Sequence, residues 1–484
     1  MRFRANFPLT DFREETNLRA MRSHRCPSST PAGTGKSAPP TGAGLALIAG
    51  LFIACTLAAR GEDPVPEEPL PSSSDYTSTQ TNPVAPPPSP SGLLGAFDAR
   101  NLTLGGESVP ENISSGEPRR FHYRLQLTVR GVWDDNIFIS NTNRISDYYF
   151  AIEPMITVGF GDVEGRGGNY IRLDYLPSIV LFVDHSNEDA ISNLIHLEGQ
   201  YSFSRLKLWF SQDVDILDGA NLNSTLDTTG LLANVDVSTP TRLNLFITRV
   251  RANYDLTPKV FLTGEFDAQI YDYPDFISSE IISGGLYINY NWTPKVVVGI
   301  GGTAGYDFVD DPNPDQTFEQ VNARLTYQMT GKLNFYASAG VEFRQFDGNR
   351  SERTTPVFEL GATYHPFDGT SITLAGVRRM LPSGFFPDQD FATTSVVLRI
   401  QQRLLQRVYL GVVAGYENDD YFGTATGVNA TRDDNYYFVE PSVDVLITRF
   451  LSAGVYYLHR QDDSSIASFS FYDNQVGVRA TIRF

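Results

Sequence analysis

Charged residues occur at alternate positions in many segments of this chain, and these are the side chains best placed to do chemistry. If the segments are strands around an interior, the charges line that interior and act on a passing solute. The simpler role is that opposite charges neutralise one another inside a wet interior. The candidates for the lining are Arg124, Arg130, Arg172, Asp174, Glu198, Glu265, Asp267, Arg324, Glu342, Glu359, Arg399, Glu440, Asp444 and Arg479, and His196, Lys207 and Arg483 follow the same pattern.

Catalytic and metal-binding patterns have little support in the sequence. The acidic stretches VDDPNPD and RDDN carry the oxygen ligands that a hard divalent cation takes, but neither belongs to an Asp-x-Asp-x-Asp-Gly loop. We therefore expect no catalytic residue, no metal site, no cofactor and no enzymatic activity. No two of the histidines that follow the N-terminal region have the spacing of metal ligands; these are His122, His185, His196, His365 and His459.

The composition argues against one class of partner. The 484 residues include 56 Asp and Glu against 38 Lys and Arg, which gives a formal net charge of −18. A general nucleic-acid-binding protein needs a basic surface, so we expect no nucleic acid as a partner. The composition does not argue against a membrane barrel, because its strands carry only one lipid-facing residue in two.

Residues 1–59 carry the features of a bacterial secretory signal. Basic residues precede the apolar run TGAGLALIAGLFIACTLAARG, and small residues lie near Ala58. A permanent helical anchor is one alternative, and lipid attachment at Cys55 is another. Cys26 and Cys55 both precede the expected cleavage, so we expect no thiol in the mature protein. The stretch GTGKS ends like a phosphate-binding loop, but the first glycine of that motif would fall on Thr30, so we discard it.

Residues 60–118 form the second expected region, a linker rich in Pro and Ser. Its sequence begins GEDPVPEEPLPSSSD and contains too few apolar residues to bury a core. We expect a disordered, extended tether. A plain spacer is the simpler interpretation, and contact with peptidoglycan or a periplasmic partner is the other.

Residues 119–484 alternate between apolar and polar side chains, which is the pattern of strands with two different faces. In RFHYRLQLTVRGVW, Phe121, Tyr123 and Leu125 share one face, whereas His122 and Arg124 share the other. Short connections such as LTPK, WTPK and MTGK alternate along the chain with long ones such as DDNIFISNTNRISD and YDFVDDPNPDQ. The alternation predicts an all-β fold, a transmembrane antiparallel up-and-down β-barrel of about 18 strands in a Gram-negative outer membrane.

Two further features support this barrel. A hairpin-length repeat of about 37 residues places aromatic residues next to the short turns, where they would form an interfacial girdle in contact with lipid; these are Tyr254, Tyr290, Trp292, Tyr327 and Tyr364. The chain ends on QVGVRATIRF, in which Ala480, Ile482 and Phe484 alternate with polar residues. We expect this last strand to run to Phe484 and to pair with the first strand, because a membrane barrel leaves no free edge. The ending is also similar to the signal by which the barrel-assembly machinery recognises its clients.

The first expected hairpin resembles a known family. Trp133, Asp134, Asp135, Asn136, Ile137 and Phe138, followed by Ser146, Asp147 and Pro154, are similar to the opening of the putative beta-barrel porin 2 family. Where that family has Tyr before Asp-Asn, this chain has Trp133-Asp134. The resemblance implies a bacterial outer-membrane barrel, often associated with exopolysaccharide loci. From the residues themselves, we expect Asp135 and Asn136 to close a strand end and Pro154 to mark a bulge or local opening.

The expected function is that of a channel. A barrel of about 18 strands encloses an aqueous lumen unless it is plugged, and the solutes would be small molecules or an exported polysaccharide. The long loop from Asp215 to Pro240 is the expected lid or constriction, because it is mildly apolar and carries little charge. The alternative is a non-conducting surface protein, such as a receptor, adhesin or structural anchor.

Overall fold

The computed structural model describes residues 121–163, 168–219, 236–328, 332–348, 352–425 and 427–484. The expected signal and linker, residues 1–118, lie outside these ranges, as do Cys55 and residues 220–235 of the expected lid loop. In the described residues, no helix is long and apolar enough to cross a membrane.

Within the described ranges, eighteen strands follow one another, and a short 3-10 helix at Ser186–Glu188 lies between the third and the fourth. They are β1 Phe121–Asp134, β2 Asp147–Gly161, β3 Tyr170–Phe182, β4 Ala190–Ser202, β5 Leu206–Leu217, β6 Leu243–Asp255, β7 Val260–Asp272, β8 Ser279–Thr293, β9 Val296–Val309, β10 Gln316–Gln328, β11 Leu333–Phe346, β12 Glu352–Tyr364, β13 Thr370–Pro382, β14 Gln389–Leu404, β15 Val408–Gly423, β16 Asp433–Leu446, β17 Leu451–Ser464 and β18 Phe471–Arg483.

The sheet is a closed antiparallel barrel, as the sequence predicts. Each strand pairs with the next one in the chain, and β1 pairs with β18 from Gln126↔Arg483 to Asp134↔Gln475. The expectation that the last strand runs to the final residue is wrong by one position, because β18 ends at Arg483. The backbone N–H of Phe484 still donates to the Leu125 carbonyl at 2.9 Å, and its ring is 76% exposed.

The two faces of the wall differ as the alternation predicts. On β1, the apolar side chains of Phe121, Tyr123 and Leu125 are 46, 61 and 41% exposed on the outside. On β3, Ile171 and Leu173 are exposed on the outside, whereas the next residue, Asp174, is fully buried on the inner face. An apolar outer face is the surface that lipid requires.

The strands are longer than the roughly ten residues that cross a membrane, running from 12 residues in β5 to 16 in β14. Several stretches that the sequence assigns to long loops are therefore strand. In HRQDDSSIASFSFY, only residues 465–470 form the connection. Acidic residues such as Asp462 and Asp473 suggest a loop when the sequence is read alone, but both are buried inside the barrel.

Pro154 coincides with an opening in the β-ladder. The pairing of β2 with β3 is interrupted between Ile152↔Ile179 and Ile156↔Tyr175, and Pro177 on β3 lies in the same gap. The register is the same on both sides of the gap, so this is a local opening and not a bulge. Two prolines account for it, because neither residue can donate a ladder hydrogen bond.

At the long-loop end, β13 separates from β12. β13 pairs with β12 only from Tyr364↔Ile372 to Phe358↔Arg378, whereas its pairing with β14 continues to Pro382↔Asp390. We call residues 379–392, the tip of the β13–β14 hairpin, the lid; among the described residues it has no strand partner on the β12 side, whereas its β14 side stays paired with β15 as far as Gln389↔Gly423. Met380 and Ala392, on the outer side of the lid, pack in one buried cluster with Phe346 from the inner side of β11. This contact places the lid inside the barrel.

Candidate functional site

The interior of the barrel is the candidate site, and ion pairs cover part of its wall. Glu265 on β7 accepts from Arg251 on β6 at 2.9 Å and from Arg324 on β10 at 2.5 Å. Next to it, Arg249 pairs with Asp267 at 3.0 Å. Three of the sequence-predicted residues, Glu265, Asp267 and Arg324, are thus brought together. Arg249 and Arg251 were missed by the sequence analysis, although the Arg-x-Arg spacing in TRVRAN carries the same alternation signal.

A second ion-pair group is more deeply buried, at the foot of the lid. Arg344 on β11 is 3% exposed and bonds Glu342 at 2.8 Å and Asp307 at 2.9 Å. Asp390 in the lid lies 3.8 Å from the same guanidinium, and the Met380 carbonyl accepts from it at 3.4 Å. Of these residues only Glu342 is among the predicted lining candidates, because Asp307 lies in the stretch YDFVDDPNPDQ and Asp390 in RRMLPSGFFPDQD, both of which read as long loops in the sequence.

The remaining predicted lining residues occupy other parts of the inner face. Arg172 contacts Asp174 at 2.8 Å and Glu198 at 3.9 Å, and His196 lies 3.6 Å from Glu198. Further round the barrel, Arg479 pairs with Asp444 at 2.5 Å. The others face the same interior without forming one cluster. Arg130 pairs with Glu153, and Glu359 lines the main cavity. Arg399 and Glu440 are buried, and Arg124 alternates with outward-facing Tyr123 and Leu125.

The main cavity lies beneath the lid and has a volume of about 280 Å³. Trp209 and Tyr287 line it together with the ion-paired residues described above, and Met380 and Leu381 of the lid border it. Its charged lining consists of six arginines and four carboxylates, namely Arg249, Arg251, Arg324, Arg344, Arg378, Arg379, Glu265, Asp267, Glu342 and Glu359.

Apolar side chains bind the lid to the opposite wall. Leu381 and Phe391 of the lid share one buried cluster with residues from β6, β7, β8, β10 and β15; these are Leu243, Leu245, Ile247, Tyr271, Ile281, Phe318 and Tyr421. The upper inner face of these strands is therefore apolar, which corrects the expectation that the inward face is polar throughout. The apolar contacts are explained by the lid, which supplies a buried partner that an open lumen would not.

A polar group fixes the turn of the lid. The Asp236 carboxylate accepts from the Ser383 hydroxyl at 2.8 Å, the Gly384 N–H at 2.7 Å and the Tyr421 hydroxyl at 2.9 Å. Arg432 donates to the Asp236 carbonyl at 2.8 Å and lies 3.8 Å from the centre of the Phe469 ring. Burial lowers the pKa of Arg432, but Tyr421, Asp236 and Asp434 outweigh burial and raise that pKa above its usual range. Arg432 therefore remains charged and holds Asp236 in place.

The expected lid loop and the observed lid meet at Asp236. The sequence analysis assigned the constriction to Asp215–Pro240, whereas the inward-folded element in the described residues is the β13–β14 hairpin. The end of the expected loop nevertheless reaches the mouth, because Val237 is 2% exposed and the Ser238 hydroxyl bonds the Phe469 carbonyl at 3.3 Å. Residues 220–235 lie outside the described part of the chain.

The motif around Asp135 holds the first strand to the last. Asp135 accepts from the backbone N–H and the side-chain amide of Asn474 on β18, both at 2.8 Å. Asn136 is fully buried and donates to the Tyr472 carbonyl at 2.9 Å. Asp134 accepts from the Gln475 amide at 2.8 Å. We call Asp134, Asp135 and Asn136 the clasp, because they form hydrogen bonds with the first residues of β18, where the β1–β18 ladder stops.

The other motif residues surround the clasp. Asp147 accepts from the backbone N–H groups of Asp184 and His185 and lies 2.9 Å from the His185 ring nitrogen. Phe138 packs edge-on against the same ring, with 6.0 Å between ring centres. Trp133 pairs with Val476 on β18 and with Tyr148 on β2. One acidic group of metal-ligand geometry occurs here in the described residues, formed by Asp134, Asp135 and Asp473, and the amide donors of Asn474 and Gln475 already bond its first two members.

Solved structures of other bacterial proteins resemble this fold, and one of them is the outer membrane protein OpdK of Pseudomonas aeruginosa. Pseudomonas aeruginosa OccK3 (OpdO) is 13% identical, with a TM-score of 0.38 over 75% of this chain and 96% of that chain. Pseudomonas aeruginosa OpdK, solved with vanillate, is 11% identical, with a TM-score of 0.39 over 75% and 99%. Pseudomonas aeruginosa OprD is 12% identical, with a TM-score of 0.36 over 76% and 97%. At these TM-scores the likeness carries no argument about the function of this chain.

The family comparison agrees with the fold. The comparison with curated proteins gives no match. The last six strands lie in the stretch that a family model matches, whereas the resemblance noted in the sequence lies in the first hairpin. The chain folds as a closed 18-strand antiparallel β-barrel, and the family resemblance is confirmed over residues 365–484, which match the model described as "Putative beta-barrel porin 2".

Proposed function

We propose that the protein is an outer-membrane channel for small solutes, and that the lid narrows its outer entrance. The observation that carries the proposal is the charged cavity of about 280 Å³ inside a closed barrel. Barrels of 16 to 18 strands leave an aqueous channel. Paired charges hold the wall in one conformation, because Arg249 and Arg251 are each bonded to a carboxylate on the neighbouring strand β7.

The size of the cavity favours small solutes over a polysaccharide chain. Its volume of about 280 Å³ lies just below the range for sites that bind small molecules, roughly 300–1,000 Å³. A polysaccharide would have to pass the lid, and the lid is held by the buried apolar cluster and by Asp236. Export of exopolysaccharide is therefore the less favoured form of this proposal, and it requires the lid to move.

The proposal includes how the barrel reaches its membrane. Ala480, Ile482 and Phe484 supply the alternating C-terminal sequence for the barrel-assembly machinery, and the accessible ring of Phe484 supports this role. The short-turn end, where Tyr254, Tyr290 and Trp292 are 44, 42 and 68% exposed, would face the periplasm. The exposure of these rings supports an interfacial girdle, because Tyr and Trp favour the membrane–water boundary.

A non-conducting surface protein is the second candidate, and one observation favours it. The cluster that joins Leu245 and Tyr271 to Leu381 and Phe391 crosses the mouth from one wall to the other. If that cluster never opens, the barrel is plugged and its outer loops alone would act, as a receptor or adhesin.

Swelling of liposomes separates the two candidates. The protein would be extracted from the outer membrane of an expressing host and reconstituted into liposomes that contain dextran. We expect swelling in arabinose and glucose that falls steeply for a tetrasaccharide, because the cavity admits only small solutes. Folded barrels that give no swelling in any sugar would contradict the channel and favour the surface protein.

A further inference from the structure

We propose that the short-turn end of the barrel binds the head groups of anionic phospholipids through a ring of exposed basic side chains. The inference rests on the part of the proposed function that places the barrel in a membrane, and it names a lipid partner that conduction does not require. Three observations carry it, which are the separation of charge between the two ends, the exposure of the basic residues and their position beside apolar side chains.

The charged residues of the connections are separated between the two ends of the barrel. In the described part of the short turns, Asp162 and Asp368 are the acidic residues, against six basic ones. In the described part of the long connections, twelve acidic residues stand against three basic ones. One end of the barrel is therefore basic, although the formal net charge of the chain is −18. We call the six basic residues of the short turns the basic ring; they are Arg205, Lys259, Lys295, Lys332, Arg407 and Arg449.

The basic ring extends around most of the barrel. One member lies in each of six turns, from the β4–β5 turn to the β16–β17 turn. Because the strands follow one another around a closed sheet, these turns surround the barrel and do not form one patch. A folded partner would contact one side of the barrel, whereas the head groups of a lipid leaflet contact its whole circumference. The distribution of charge therefore fits lipid better than a protein.

The basic side chains are accessible to a partner. All six members of the ring are exposed. Within the described residues, Arg205, Lys259, Arg407 and Arg449 form no ion pair, so no carboxylate of the barrel neutralises them. Exposed basic residues next to a membrane are attracted to anionic head groups over a Debye length, about 8 Å at physiological ionic strength. The charge of the ring is therefore available to the phosphate groups of lipids.

Apolar side chains place the basic ring at the depth of the head groups. Five of its six members have a large exposed apolar side chain within three positions in the chain; these are Phe203, Leu256, Trp292, Leu405 and Phe450. In a membrane barrel, apolar side chains on the outside contact lipid. Lys and Arg beside them lay their apolar stems along that surface and keep their charged ends in the polar layer. The basic ring therefore lies at the boundary where the phosphate groups of a leaflet are found.

The recognised group is an anionic phosphate diester. Lys binds phosphate as a point charge, and Arg binds it through a planar fork of donors. Phosphatidylglycerol has no cation in its head group, so it should bind more tightly than phosphatidylcholine, whose ammonium group is repelled by the basic ring. The acidic long-loop end should repel phosphatidylglycerol. The preference therefore belongs to the leaflet that surrounds the short turns.

Native mass spectrometry measures the lipid preference, whether or not the barrel conducts. The purified protein in detergent would be mixed with equal amounts of phosphatidylglycerol and phosphatidylcholine that carry the same acyl chains, and the bound copies of each lipid would be counted. We expect about fivefold more bound phosphatidylglycerol, which is the contribution of roughly one basic side chain to each bound lipid.

Variants assign the preference to the basic ring. A glutamine variant should remove it, and this variant combines Arg205→Gln, Lys259→Gln, Lys295→Gln, Lys332→Gln, Arg407→Gln and Arg449→Gln. The matched control exchanges Lys for Arg and Arg for Lys at the same six positions, and it should retain the preference because the charge stays in place. Arg242→Gln, at an exposed position of a long connection, should also retain it. Shifted migration in unheated SDS gels shows that each variant is a folded barrel.

The outcomes are distinct. Equal binding of the two lipids to the wild type, or a preference for phosphatidylglycerol that survives in the glutamine variant, would overturn the lipid ring. Binding of purified peptidoglycan that the glutamine variant loses while its lipid preference stays unchanged would overturn it in favour of a cell-wall partner. A wild type that prefers phosphatidylglycerol but fails to swell liposomes would overturn the channel and leave the lipid ring standing. Swelling without a lipid preference would leave the channel and remove the lipid ring.

Discussion

At the scale of single residues, the clasp shows what a sequence motif can predict and what it leaves open. The Asp-Asn pair predicts a closed strand end, because both side chains favour local turns. The structure adds the partner, since Asp135 and Asn136 also bond Asn474 and Tyr472 more than 300 positions away in the chain. Local turn chemistry carries no information about so distant a partner.

The clasp should be needed for closure of the barrel. We expect the double substitution Asp135→Ala and Asn136→Ala to cost about 1–3 kcal/mol for each buried group left unpaired, and to lower the yield of folded protein in the outer membrane. The measurement is the fraction that migrates as a folded barrel in unheated SDS gels, as a function of temperature. The matched control is Asn187→Ala, at an exposed position of the short 3-10 helix between β3 and β4. Wild-type yield and wild-type melting of the double variant would disprove the role of the clasp.

Arg344 tests whether the ion pairs support the lid. We expect Arg344→Met to destabilise the barrel by about 3–5 kcal/mol, because it leaves Glu342, Asp307 and Asp390 buried without their cation. The exposed pair of Arg353 with Asp420, 3.8 Å apart, provides the control, and Arg353→Met should cost at most about 1 kcal/mol. Urea unfolding in micelles measures both. Equal losses for the two variants would show that burial does not decide the strength of these pairs.

At the scale of elements, alternation identified the strands well, whereas their ends and the lid were not predictable. Alternation with a period of two residues predicts which side chains face lipid. The strands β1, β7 and β10 have the predicted faces. Alternation does not predict where a strand leaves the wall, because Arg379, Leu381 and Phe391 alternate in the same way inside the lid as they would in the wall. Only the packing of the lid against β6, β7 and β11 separates the two cases.

The interior was predicted in part for the same reason. Glu265, Asp267 and Arg324 lie on strands whose apolar partners mark them as inward-facing, and the structure brings them together. Asp307 and Asp390 belong to acidic stretches that are typical of solvated loops, and their contact with Arg344 depends on the lid. Sequence patterns report the exposure of a side chain along one strand and cannot report contacts across the lumen.

At the scale of the whole molecule, we propose a barrel whose permeability is set by an element of its own wall. Closure of β1 on β18 removes the free edge that a membrane does not tolerate. The inner face is charged around the cavity, and towards the long-loop end it is apolar where the lid packs against it. The narrow passage that results is the central claim of this account.

Single-channel current tests that claim most directly. The protein would be compared in planar bilayers with a variant in which residues 383–388 are replaced by Asn-Gly, a two-residue turn suited to joining antiparallel strands. The account predicts a small, steady current for the wild type and a current several-fold larger for the variant, because the shortened hairpin loses its contacts with Asp236. Folded barrels that carry no current in either form would contradict the account, and equal currents would show that the lid does not restrict the passage.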